Sequence, residues 1–91
     1  MARPSDTSRP RFAVGCRWST QGEDRAVLFP EGMIRVQATG LSILELCDGD
    51  RTVAQIVAAL QEKYSQAAPE KIREDVLSFL EALQAKRIVD Y

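Results

Sequence analysis

The chain contains no histidine. That removes the usual general base, the Ser-His and Cys-His nucleophile pairs and the commonest metal ligand. Its two cysteines, Cys16 and Cys47, stand 31 positions apart and form no CxxC pair. Neither a zinc site nor a thioredoxin-type motif is therefore available. The opening Met1-Ala2-Arg3-Pro4-Ser5-Asp6 has no apolar stretch of the kind an export signal carries. Two free, buried thiols are accordingly expected rather than a disulfide. No apolar run approaches the ~20 residues of a membrane span. An excess of positive charge is missing too: 12 basic and 13 acidic side chains give a formal net charge of −1, against the clustered positive charge that nucleic-acid binding rests on. The expectation is a soluble cytoplasmic domain, with no metal, no cofactor and no enzyme chemistry of its own.

What is present suits one small domain. Of 91 residues, 45% are hydrophobic and 27% charged, ordinary globular values. A chain of this length buries roughly 60–65% of the surface it exposes when unfolded, which leaves little material for a separate deep cleft. Residues 1–11 hold two prolines, three arginines and four Ser, Thr or Asp residues, the composition of a flexible tail. The domain proper is expected over 12–91.

Phe12, Val14, Cys16 and Trp18 alternate with Ala13, Gly15, Arg17 and Ser19, which predicts a strand with one buried face. A polar turn over Thr20-Gln21-Gly22-Glu23-Asp24 leads to a second strand, Ala26-Val27-Leu28-Phe29, and Pro30-Glu31-Gly32 breaks it. Met33-Ile34-Arg35-Val36-Gln37-Ala38 alternates again, so an antiparallel meander of three strands is expected. The period changes at Thr39. A helix starting at Thr39 or Gly40 and running through Cys47 should stop at Asp48-Gly49-Asp50, with Gly49 in the left-handed region. Thr52 is a good N-cap for a second helix whose stripe is Val53, Ile56, Val57, Leu60 and Tyr64. Pro69 opens a third, with a stripe of Ile72, Val76, Phe79, Leu80 and Leu83 that ends near Lys86. Ile88-Val89-Asp90-Tyr91 is too short to assign; a return onto the sheet is one reading. The fold class is α+β, in the order β-β-β-α-α-α.

No constellation points to catalysis. Asp48 and Asp50 are followed by Thr52, Ala54 and Ile56, so the oxygen series of a calcium loop fails. Glu74 and Asp75 are adjacent, and adjacent helical side chains diverge by about 100° instead of sharing a substrate. Lys71, Arg73, Lys86 and Arg87 are interleaved with Glu70, Glu74, Asp75 and Glu81, unlike a DNA-recognition helix. A three-stranded meander has two edges. If the outer edge of its third strand is free, that edge and the neighbouring helix face could take up a peptide as an added strand.

Four stretches carry a resemblance. Val27-Leu28-Phe29-Pro30-Glu31-Gly32, Thr39-Gly40-Leu41-Ser42-Ile43-Leu44-Glu45-Leu46-Cys47-Asp48-Gly49, Thr52-Val53-Ala54-Gln55-Ile56-Val57 and Asp75-Val76-Leu77-Ser78-Phe79-Leu80-Glu81-Ala82-Leu83 are similar to the PqqD family of pyrroloquinoline quinone (PQQ) biosynthesis. The likeness spans about residues 12–91. It implies a winged-helix-like peptide-recognition domain, a RiPP recognition element. Such a domain binds the precursor peptide PqqA and presents it to the radical S-adenosylmethionine enzyme PqqE, which cross-links a Glu and a Tyr of the peptide. It also implies that the peptide lies beside strand three and against the last helix. On this chain those positions are Met33, Ile34, Arg35, Val36 and Gln37 on the strand and Arg73, Asp75, Val76, Phe79, Leu80 and Leu83 on the helix, with Arg35, Arg73 and Asp75 as polar selectors and some apolar members belonging to the core. Two alternatives stand beside this one: a PqqD-like domain of another ribosomal-peptide pathway, and a winged-helix DNA-binding protein, which the charge pattern disfavours. A homodimer through the free edge is a further expectation.

Overall fold

The structure, a computed structural model, describes residues 3–21 and 24–91. Gly22 and Glu23 of the expected polar turn lie outside the described residues. The alternation from Phe12 to Trp18 does not form one strand. Gly15 adopts φ +87°, and the Cys16 N–H donates to the Ala13 carbonyl at 3.1 Å, so the chain reverses between them. Period-two alternation cannot register such a turn, because only the glycine backbone reveals it. Phe12 therefore belongs to β1 (Arg11–Phe12) and Trp18 to β2 (Arg17–Gln21). The two rings still meet edge to face, 5.4 Å apart. Val14, expected on the buried face, is 97% exposed at the tip of the turn.

β2, β3 (Asp24–Phe29) and β4 (Gly32–Val36) form the antiparallel meander, in that spatial order. Trp18 stands opposite Val27, and Val27 opposite Ile34, so one row of side chains crosses the sheet on its core face. The third strand stops at Val36, short of the expected Ala38. α1 (Ala38–Glu45), α2 (Val53–Lys63) and α3 (Pro69–Ala85) follow, and β5 (Val89–Asp90) closes the chain. β5 pairs with β1, Phe12 opposite Val89, rather than with the meander. The core gathers Val27 and Val36 from the sheet, Ile43 and Leu44 from α1, the α2 stripe, Ile72, Val76, Leu80 and Leu83 from α3, and Ile88 and Val89.

Two helix ends are held by identifiable contacts, the start of α2 and the end of α3. Thr52 caps α2 as expected: its hydroxyl accepts from the Gln55 N–H at 3.2 Å while the Gln55 side chain accepts from the Thr52 N–H at 2.8 Å. The next orphan donors are met from outside the helix. The Val53 N–H reaches the Ser8 carbonyl at 2.8 Å and the Ala54 N–H reaches the Asp6 carbonyl at 3.1 Å. Residues 3–10, a tail by composition, thus lie as a strap across the start of α2. Pro4 and Pro10 are buried, and the Pro10 carbonyl accepts from Gly49, whose φ of +82° is left-handed as expected. Arg3 bonds Glu74 at 2.5 Å and lies 3.7 Å from Glu81, while Asp6 pairs with Arg73 at 2.8 Å, both contacts on α3. The Arg3 hydrogen bond holds the Glu74 carboxyl below the usual range.

α3 ends in a Schellman turn. The Ile88 N–H reaches the Leu83 carbonyl and the Arg87 N–H that of Gln84, both at 2.9 Å, and Ile88 and Leu83 are buried together. The C′ position is Arg87, at φ +62°, where glycine is the unstrained choice. Arg87→Gly is therefore expected to raise unfolding free energy by about 1 kcal/mol in chemical denaturation. Deleting residues 1–9 withdraws two carbonyls from α2 and is expected to cost about 1–3 kcal/mol in the same measurement.

Candidate functional site

β4 is an edge strand. Its inner side pairs with β3 from Arg25–Val36 to Phe29–Gly32, and among the described residues no strand pairs with its outer side. A two-residue turn closes on a hydrogen-bonded pair, here Phe29 with Gly32, and such pairs alternate along an antiparallel ladder. The N–H and C=O groups of Ile34 and Val36 are thereby turned toward β3. Those of Met33 and Arg35 are turned outward, where another strand could meet them.

α3 supplies a wall beside this edge. Its C-terminal end borders the β3–β4 hairpin, where Phe29, Glu31, Ala85, Lys86 and Arg87 line one cleft. Farther back, Phe79 reaches the start of α1: a Cβ on Gly40 would lie 3.1 Å from the ring. The helix thus runs antiparallel to β4. At 100° per residue, Asp75, Phe79, Ala82 and Lys86 share one flank of α3. Glu74, Ser78 and Glu81 form a second row about 100° round the helix, and there Arg3 binds all three. The strap and the Phe79 flank therefore occupy different faces of α3.

The expected site residues divide accordingly. Met33 is 42% exposed, and Arg35 and Gln37 are exposed. Ile34 is half-buried against the core. Asp75 is half-buried and pairs with Lys71 at 3.5 Å. Phe79 is half-buried, short of the full burial its place in the stripe suggests. Val36, Val76, Leu80 and Leu83 are core side chains. Arg73 is engaged by Asp6 on the strap side. Leu77, outside the predicted stripe, is buried as well.

The corner from β4 into α1 holds two features that sequence patterning did not single out. Ala38 opens the helix at φ +52°, a region that L-residues other than Asn and Asp seldom enter. No sequence signal marks it. Gly40 does carry a signal, since an isolated glycine inside a helical pattern points to a close approach.

Outside this groove the reactive groups are quiet. Both thiols are free; Cys47 is buried and Cys16 half-buried. Burial, with Asp48 nearby, pushes the Cys47 thiol up to about 12. The Ser42 hydroxyl is buried and tied to Tyr64 Oη at 2.8 Å and Lys63 Nζ at 3.0 Å, joining α1 to the end of α2. Among the described residues no group of three His, Cys, Asp or Glu side chains could hold a metal ion, and no helix is long and apolar enough to cross a membrane.

Three antiparallel strands followed by three helices make a fold that this chain shares with a solved RiPP recognition element. The chain superposes with TM-score 0.77 and 30% identity on the solution NMR structure of the PqqD truncation of Methylobacterium extorquens PqqCD, described as a functional, stand-alone RiPP recognition element, over 96% of this chain and 94% of that one. The fold is also shared, at TM-score 0.76 and 21% identity over 88% of this chain and 94% of the other, with TbiB1, solved in complex with the TbiA(beta) leader peptide. A family model described as coenzyme PQQ synthesis protein D (PqqD) matches residues 25–89. The chain is 41% identical over 85 residues to a PqqA binding protein of Klebsiella pneumoniae, covering 90% of each chain, and 36% identical over 86 residues to one of Azotobacter vinelandii, covering 94% of this chain and 91% of that one. The chain belongs to the PqqD family.

The division between core and groove can be tested by stability. Leu80→Ala is expected to cost about 2–5 kcal/mol, whereas Phe79→Leu should cost less than about 1.5 kcal/mol, both read by urea denaturation.

Proposed function

We propose that this protein is a non-catalytic carrier of PQQ biosynthesis. It binds the precursor peptide PqqA as an added strand on the outer edge of β4, against the Asp75–Phe79 flank of α3, and presents it to PqqE in the cytoplasm. The observation that carries this reading is the outer edge of β4, with which no strand pairs among the described residues and where the main-chain groups of Met33 are turned outward, in a chain whose relatives are PqqA binding proteins. Main-chain pairing supplies affinity that is tolerant of sequence, and pockets for alternate side chains supply selection. A micromolar Kd, about −8 kcal/mol, suffices for a carrier that must also release its cargo. Holding peptide and enzyme together raises the effective concentration of one at the other.

What the chain offers supports the non-catalytic reading. It has no histidine, a cysteine held as the thiol at neutral pH, and a serine hydroxyl committed to a buried tie. Reading α3 as a DNA-recognition helix is disfavoured, because Glu70, Glu74, Asp75 and Glu81 stand among its cations. A homodimer would draw on the same β4 edge as the peptide, so peptide and second copy would compete. PqqE would then dock elsewhere on the protein.

The test is a heteronuclear NMR titration of labelled protein with synthetic PqqA. Saturable shifts are expected along residues 33–37 and on the Phe79 flank of α3. Met33→Pro removes an outward donor without touching the pairs to β3. It should weaken binding about five- to tenfold at nearly unchanged melting temperature, as one lost hydrogen bond dictates. Equal affinity for the variant would show that the edge is not the site.

A further inference from the structure

Gly40 occupies the third position of α1, four residues after the last residue of β4. Glycine is the poorest helix former after proline, so a small helix of eight residues has reason to avoid it here. Its φ is not left-handed, and the backbone does not demand glycine. What a side chain there would meet is the ring of Phe79. A Cβ at this position would lie 3.1 Å from Phe79 Cε1 and 3.2 Å from Cζ. A relaxed carbon–carbon contact is about 3.5–4.0 Å. The ring of Phe79 thus lies on the bare backbone of α1, and it is only half-buried there. The same corner holds Ala38 at φ +52°, which turns the chain sharply out of β4 and carries α1 beneath the ring. Strain of this kind gathers where a ligand is clamped.

Resting on the reading of the groove given above, we infer that Gly40 is a positioning residue for peptide selection. By letting the Phe79 ring lie down on α1, it keeps open the end of the groove where β4 turns into the helix. That space takes a large apolar side chain of the added strand, of leucine, isoleucine or phenylalanine size. Any side chain at position 40 lifts the ring into the space and selects against such a residue. Leu80, the neighbour of Phe79, is fully buried, whereas Phe79 packs against the core and yet stays half-buried.

The test compares wild type, Gly40→Ala, Phe79→Leu and the Gly40→Ala/Phe79→Leu double variant. Each is titrated with synthetic PqqA from Klebsiella pneumoniae, and thermal unfolding is measured beside each titration. Gly40→Ala should keep or raise the melting temperature, because alanine favours the helix and the ring can swing outward. It should nevertheless weaken peptide binding about tenfold, the scale of one methylene group misplaced in an apolar pocket. In the double variant the narrower leucine clears the added methyl group, and affinity should return to that of Phe79→Leu alone. A purely structural role for Gly40 would instead make binding follow stability. The inference is overturned if Gly40→Ala binds like wild type, if its loss of binding matches a loss of stability, or if Phe79→Leu brings no recovery. A wild-type protein that does not bind the peptide overturns the reading of the groove itself, a result seen before any variant is compared.

Discussion

A main-chain N–H or C=O taken out of water has to find a partner, and this constraint organises the molecule from end to end. The α2 start is met by a capping box and by carbonyls from residues 6 and 8. The α3 end is met by a Schellman turn that tolerates arginine in a left-handed conformation. The first and last strands, two residues each, satisfy one another. Among the described residues no buried side-chain nitrogen or oxygen lacks a partner. Against this pattern, the β2-β3-β4 ladder stops at two outer edges, those of β2 and β4, with which no strand pairs among the described residues, and an edge of this kind is a template on which a further strand can pair.

The core fixes the helix that stands beside the β4 edge. α3 contributes Ile72, Val76, Leu80 and Leu83 to one cluster with Val27 and Val36 of the sheet and the buried residues of α2, so the helix that carries Phe79 also fills the centre of the protein. A ligand on the β4 edge therefore meets a surface fixed by packing. Arg25 illustrates the same economy: it stacks over Trp18 at 4.1 Å and pairs with Glu45 at 3.3 Å, joining sheet to α1 with a charge that stays half-exposed.

Much of this was legible in sequence, and the misses have physical causes. The α2 cap, its stripe and the proline that opens α3 are local patterns, and they appear where residues 52–60 and 69 place them. Phe12 to Trp18 reads as one strand because alternation is blind to a reversal at Gly15. The strap was invisible because it works through backbone carbonyls, while composition reports only side chains. Within the site, periodicity finds Val76, Leu80 and Leu83 but cannot separate core from groove, since both are apolar and share a helix. Phe79 differs from Leu80 only by 100° of rotation. That rotation places it against Gly40, a contact between residues distant in sequence.

The strap has a bearing on how the domain can be attached to others. Arg3 sits on the Glu74–Ser78–Glu81 row of α3, about 100° round the helix from the row that carries Phe79. A polypeptide joined ahead of it would start from that row. A fusion at that end would thus be anchored by the ion pairs of the strap on a helix face distinct from the one that Phe79 occupies.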